Sequence, residues 1–313
     1  MRVLVTGWKG FVGLHTVKAL QENHHVIVPA NYDLSDPENT YDLFRDTKPD
    51  AVIHLAAYAR GLGGHKDQHH AYLRNLRINT NVVEAAVAAK VKKFVAMGTV
   101  AMYPAHCERL EEQWLLDGPP HRAEYGYASA KRAMLAQLEC TDLDWTMALA
   151  TNMYGPHDRF CAETGHCVAS LVTKFADAKK CPLISHSQDG FRKSFTPVEV
   201  WGDGGQRRDF LHVEDAAAGL VTLLEKGSGI YNLASGETTM IARLVDELSE
   251  LSGVDYVYDT TKPVGHHTRI VETSLIRGLG WRPQIPFIAG LAQTWNWYVK
   301  DRLSEALRTP ATG

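Results

Sequence analysis

Two rhythms of apolar residues alternate along the first half of the chain. Short continuous runs stand at Val3 to Val5, His25 to Val28, Ala51 to Ala57, Lys93 to Gly98 and Trp145 to Ala150. Between them, apolar residues recur every three or four positions. The first such stretch carries Phe11, Leu14, Val17, Ala19 and Leu20; others lie near 38–44, from about Asp67 to Lys90 and from Tyr125 to Cys140. A continuous apolar run suits a strand buried on both faces, and a period near 3.6 suits an amphipathic helix. Strands and helices in alternation predict a parallel sheet covered on both sides.

After Asn152 the rhythm breaks. A turn-rich segment, "NMYGPHDRFCAETGH", leads to a helix near Cys167 to Ala178, then to a loop with Pro182, Gly190 and Pro197. Further on the pattern predicts strands at Ile230 to Leu233 and Tyr256 to Tyr258, a helix over Ile241 to Leu251 and a last helix ending near Tyr298. The expected fold is α/β: a doubly wound, Rossmann-like parallel sheet with a smaller C-terminal α+β substrate lobe. The expected division is 1–152 plus about 206–226 for the sheet domain and 153–205 plus 227–313 for the lobe.

Composition narrows the function. With 33 Lys and Arg against 36 Asp and Glu, the net charge of −3 gives no general affinity for nucleic acid or an acidic membrane surface. No run approaches the roughly 18 apolar residues of a membrane span. Five cysteines and an N-terminus without a secretory pattern predict a reduced, cytoplasmic protein.

Candidate chemistry begins at "VTGWKGFVG", where Gly7, Gly10 and Gly13 stand between the first strand and the first helix. The first glycine permits a tight turn, the second lets a pyrophosphate reach the backbone, and the third lets helix pack on strand. This context predicts a dinucleotide site. The second strand ends "VPANYD", with no acid where one would hold the ribose 2′-hydroxyl of NAD, and Lys9 could pair with the 2′-phosphate of NADP. NADP is the expected cofactor, with NAD left open. Asp36 is a candidate for the adenine amino group.

In "YGYASAK", Tyr127 and Lys131 are four residues apart and share a helix face. An ammonium beside a phenol, with the hydroxyls of a nicotinamide ribose, lowers the phenol's pKa and makes it a usable acid or base. These segments, with "HLAA", resemble the extended short-chain dehydrogenase/reductase family. Within it, "ATNMYGPHDRFCAETGH" and "VWGDGGQRRDFLHVEDAA" are similar to the GDP-L-fucose synthase branch, which epimerises C3 and C5 of a GDP-linked 4-keto sugar and reduces C4. The resemblance spans nearly the whole chain.

It implies Tyr127 as general acid, Lys131 as its partner, Thr99 as the hydroxyl that completes the triad and His166 as the epimerisation acid. It adds Phe11, Leu55, Ala56 and Ala57 to the cofactor site, and implies sugar-nucleotide contacts at Asn152, Trp201, Arg208 and Lys262. It also implies a homodimer through the two long helices. The departures carry as much meaning. The branch has a cysteine as epimerisation base where this chain has Ala101, which removes no proton; C3/C5 epimerisation is expected to be lost or impaired. An arginine after the second strand is absent, and the segment from Cys181 to Glu199 is longer than usual. Val100 and Ala101 also exclude the acid pair of a sugar 4,6-dehydratase. The expected activity is reduction of C4 of a nucleotide-linked, GDP-type 4-keto sugar. A nucleotide-sugar 4-epimerase or 4-dehydrogenase retaining NAD, and a non-catalytic nucleotide-binding protein, stay open.

The remaining constellations read as ordinary chemistry. His65, His69 and His70 have helical spacing but no third ligand, and His157, Cys161, His166 and Cys167 fit no zinc pattern, so no metal is expected. Trp295 and Trp297 read as core.

Overall fold

The computed structural model describes residues 1–22, 26–27, 32–59, 67–180, 182–187, 190–262 and 268–308. The N-terminal part runs β1 (Arg2–Thr6), α1 (Phe11–Glu22), β2 (Val26–Ile27), α2 (Pro37–Thr47), β3 (Ala51–His54), α3 (Gln68–Ala88), β4 (Lys93–Thr99), β5 (Arg109–Leu110), α4 (Tyr125–Glu139) and β6 (Trp145–Ala150). Then follow β7 (Asn152–Tyr154), α5 (Cys167–Lys180), β8 (Pro182–Ser187), β9 (Gly190–Phe195), β10 (Val198–Trp201), β11 (Arg207–His212), α6 (Val213–Lys226) and β12 (Gly229–Leu233). The chain ends with β13 (Thr238–Met240), α7 (Ile241–Ser252), β14 (Tyr256–Asp259), β15 (Ile270–Val271), α8 (Ser274–Gly278) and α9 (Phe287–Arg308).

Six parallel strands form the central sheet in the order β12-β6-β4-β3-β1-β2. Val3, Leu4, Val5, Val52, Ile53 and Val95 are wholly buried, as the continuous apolar runs require of a sheet covered on both faces. One core lies under α2, α3 and α4, around Phe94, Val82 and Leu135. The opposite core joins the sheet to α6 through Leu220 and Leu224. A third core, around Phe175, Phe210, Leu244 and Trp295, holds the C-terminal lobe together. Trp295 is core, as expected, and Trp297 packs at its margin.

Two expectations need correction. The division placed everything after 226 in the lobe, yet β12 pairs along its whole length with β6 and forms the edge of the large sheet. The α6 crossover returns the chain to that sheet, a step that the short "GIYNL" run does not announce. The loop expected around Pro182 and Gly190 is instead an antiparallel pair, β8 with β9, registered from Pro182↔Phe195 to Ser187↔Gly190.

A buried asparagine ties the late segments to the sheet edge. Asn232 Oδ1 accepts from the Tyr103 hydroxyl at 2.9 Å, and its Nδ2 donates to the Leu110 and Glu272 carbonyls, each at 2.9 Å. The small parallel pair β5 and β15 is thereby fastened to β12. Asn232→Ala strands three buried polar groups, and an unmet buried hydrogen bond costs about 1–3 kcal/mol. Chemical denaturation is expected to show a loss of about 3 kcal/mol or more.

Candidate active site

The glycine turn folds as its sequence demands. Gly7 has φ +70°, and a Cβ there would come 2.8 Å from the Ala56 nitrogen. A Cβ at Gly13 would strike the Gly7 carbonyl and Trp8. The turn closes with Gly10 N donating to Gly7 O at 2.9 Å. Above it lies a cavity of about 400 Å³ that brings together Gly7, Lys9, Gly10, Leu55, Ala56 and Ala57, all expected at the cofactor site. Sequence reading missed Trp8, Tyr58, Arg74 and Ile78 on the same walls. A helix N-terminus, glycine backbone and cations around a cavity suit a dinucleotide. Phe11 opens α1 with its ring against His15, and neither it nor Gly13 borders the cavity.

Asp36 caps a helix. Its side chain accepts from Asn39 N at 3.2 Å as the N-cap of α2, so that oxygen serves a helix end, and Tyr32 and Leu34 border the cavity on that side. The segment 28–31, which bears on cofactor choice, and His65 lie outside the described residues.

A directed hydrogen-bond chain links this turn to the helix carrying Tyr127 and Lys131. Ala56 N donates to Thr6 Oγ1 at 3.2 Å, and Thr6 Oγ1 lies 2.7 Å from His54 Nδ1. His54 Nε2 lies 3.1 Å from Asn79 Oδ1, and Asn79 Nδ2 donates to Ala130 O at 3.3 Å. Because the Asn79 amide nitrogen is engaged on Ala130, Oδ1 faces His54 and Nε2 must donate; Nδ1 then accepts the Thr6 hydroxyl. Burial and the charge of Lys131 pull the His54 pKa down to about 3, so the ring is neutral.

The residue after Lys131 also locks the site. Arg132 donates to Met102 O, Gly118 O and Leu115 O, each at 2.7 Å, clamping the segment that follows Thr99 onto α4. Thr99 ends β4, pairs with Ala150 and accepts from Ala101 N at 3.2 Å. Lys131 is fully buried and its Nζ has no hydrogen-bond partner among the described residues. Burial lowers its pKa to about 8. A fully buried ammonium lacking acceptors fits a site whose ligand supplies hydroxyls, as a nicotinamide ribose does. Burial first, then the Glu124 carboxylate, push the Tyr127 phenol above the ordinary range.

The expected substrate residues fall into two groups. Asn152 and Arg208 lie on the neighbouring strands β7 and β11, where Asn152 Nδ2 donates to Asp209 O at 3.1 Å. Trp201 and Lys262 meet on the β10–β14 pair: Trp201 registers with Asp259, and Lys262 Nζ lies 3.7 Å from Asp259 Oδ2. Trp201 is half exposed and has Lys174 over its ring at 5.6 Å. His166 precedes α5 and lies 3.4 Å through Nδ1 from Asp158 Oδ1, a contact that raises its pKa.

Glu124 and Arg269 were not anticipated. Glu124 acts electrostatically on Tyr127, His166, Arg208 and Arg269, which joins residues from four parts of the chain in one field. Arg269 is buried and donates to Val100 O at 3.1 Å, next to Ala101. Only a polar residue before the Tyr127 helix and a basic residue before β15 hint at them in sequence. No group of three metal-ligating side chains is found among the described residues, and Cys107, Cys140, Cys161 and Cys167 are free thiols.

His54 generates a testable consequence. A histidine held neutral in the fold binds fewer protons than its unfolded counterpart between pH 6.5 and about 3. Its contribution is present above pH 6.5 and is lost as pH falls below it. In urea titrations at stepped pH, His54→Gln is expected to flatten the loss of stability below pH 6.5 by up to one proton, about 1.4 kcal/mol per pH unit.

Known proteins resemble this chain over nearly its whole length. The family model described as the NAD dependent epimerase/dehydratase family matches residues 3–234. A relative named probable GDP-L-fucose synthase 1, from Oryza sativa subsp. japonica, is 31% identical over 97% of this chain and 93% of its own. Among solved structures, a GDP-6-OMe-4-keto-L-xylo-heptose reductase from C. jejuni superposes with TM-score 0.85 at 22% identity, covering 96% of this chain and 98% of that one. A GDP-L-fucose synthetase from Naegleria fowleri, solved bound to NADP, gives TM-score 0.83 at 24% identity, covering 97% of this chain and 95% of that one. These two likenesses establish the shared fold.

Proposed function

The chain belongs to the NAD-dependent epimerase/dehydratase family, and from that membership we propose that it reduces C4 of a GDP-linked 4-keto sugar with NADPH. It is an NAD(P)-dependent enzyme of the extended short-chain dehydrogenase/reductase type. The observation that carries the reading is Lys131: a fully buried ammonium without a protein acceptor, one helical turn from Tyr127. The plant relative's name supplies the GDP-sugar, and Lys9 beside the glycine turn favours the phosphorylated cofactor.

The bound nicotinamide would supply a hydride. Gly7 and Gly10 would leave the backbone open to its pyrophosphate, and Lys131 would donate hydrogen bonds to its ribose hydroxyls. Tyr127 donates its phenolic proton to the oxygen forming at C4, while Thr99 Oγ1 orients that oxygen. Raised above the usual phenol range, Tyr127 stays protonated at neutral pH, the state that a proton donor needs. Arg208 faces the diphosphate by charge-assisted hydrogen bonding.

The epimerising half is a different matter. Ala101 is buried, at 3% exposure, and offers no proton acceptor. His166 remains, held by Asp158, but an acid without a base on the other face of the sugar exchanges nothing. The proposed reaction is therefore reduction without C3/C5 epimerisation.

NADPH oxidation with a panel of GDP-linked 4-keto sugars tests the activity. Tyr127→Phe is expected to lower kcat by at least about a hundredfold while leaving NADPH affinity unchanged. Products formed in heavy water are expected to carry no deuterium at C3 or C5; rapid incorporation there would refute the reading of Ala101. We also propose a homodimer, because α3 and α4 lie side by side over one face of the sheet, a pair of parallel ridges that a second copy can cover. Sedimentation is expected to give twice the 34.8 kDa chain mass.

A further inference from the structure

We infer that Arg74, with Lys9, grips the ribose 2′-phosphate of NADPH and so sets the preference for NADPH over NADH; this rests on the cofactor reading above. Both cations border the cavity over the glycine turn, but they reach it from different elements. Lys9 belongs to the turn after β1, and Arg74 belongs to α3. A phosphomonoester dianion between them meets a point charge on one side and a planar donor fork on the other.

The platform under Arg74 is fixed. Its guanidinium lies 5.3 Å from the centre of the Tyr58 ring. The Tyr58 backbone is held at both polar groups by one side chain: its N donates to Asn75 Oδ1 at 2.8 Å, and its O accepts from Asn75 Nδ2 at 3.0 Å. Asn75 is itself wholly buried and also donates to Ala71 O at 2.7 Å. Arg74 and Ile78, four apart on α3, both border the cavity, so this face of the helix is turned to the ligand.

The nearby acid does not compete for the ribose. An NAD site places a carboxylate on the 2′-hydroxyl. Here Asp33 uses its Oδ1 to accept from Ser35 N at 2.9 Å and from Ser35 Oγ at 2.7 Å, and it does not border the cavity. Arg74 attracts this carboxylate only weakly, as the last and smallest of the influences that lower its pKa, behind the Ser35 hydrogen bonds.

Dissociation constants for NADPH and NADH, read from tryptophan fluorescence without any sugar substrate, test the assignment, since Trp8 borders the same cavity. Arg74→Ala is expected to weaken NADPH binding by about tenfold or more and NADH binding by less than about threefold. Arg74→Lys, which keeps the charge and loses the fork, is expected to fall between. Equal losses for both cofactors would make Arg74 a partner of the adenosine and overturn the assignment, as would an Arg74→Ala protein that kept the wild-type preference. A wild-type protein with no preference for NADPH would overturn the cofactor reading together with this one. A wild type that prefers NADPH yet reduces no 4-keto sugar would sink only the reductase reading.

Discussion

The site depends on a line of hydrogen bonds that crosses the interior from the glycine turn to the helix bearing Tyr127 and Lys131. Thr6, His54 and Asn79 are each buried to within 2% of complete, so every polar atom in the line must be met by another or its desolvation goes uncompensated. Each is met, and the direction of each bond fixes the next. A neutral imidazole accepts from a hydroxyl at one nitrogen and donates to an amide oxygen at the other. The line therefore registers β1 and β3 against α3 and α4. Arg132, reaching three carbonyls, does the same for the segment after Thr99.

Rigid placement explains how one lysine can remain buried without a protein acceptor. Were α4 free to tilt, Lys131 could carry its charge to solvent, as long side chains do when they can. The Asn79 bond to Ala130 O and the Arg132 clamp flank Lys131 in sequence and deny that motion. The ammonium is left with a pKa near 8, poised for a partner that the protein does not itself supply. Such a perturbed, buried and unsatisfied group is a candidate for function. Glu124, Arg208 and Arg269 extend the same logic, one carboxylate in the field of two guanidinium groups.

What was legible in sequence was what local chemistry dictates. Gly7 and Gly13 announce themselves because a Cβ at either position meets backbone. Tyr127 and Lys131 become candidates by their spacing only in the company of the dinucleotide turn that precedes them. Arg74 and His54 do not, since what each meets is distant in sequence: Tyr58 for one, Thr6 and Asn79 for the other. Asp36 is ambiguous in sequence because an acid before a proline-led helix is as good a cap as a ligand; the structure shows the cap. The strand β12 escaped the proposed division because a five-residue run carries no mark of which sheet it joins; α6 packing on the large sheet decides it.

The protonation states favour one direction of the proposed chemistry. Reduction of a carbonyl ends with an alkoxide that needs a proton, and a phenol pushed upward by burial and by Glu124 still holds its proton at neutral pH. Oxidation would start from the phenolate, which the same burial penalises. A charged Lys131 works against that penalty, but with its own pKa near 8 it is only partly committed to the charge at slightly alkaline pH. In the proposed reaction, where Ala101 offers no base and the phenol is held in its acid form, the site would deliver one proton to one oxygen.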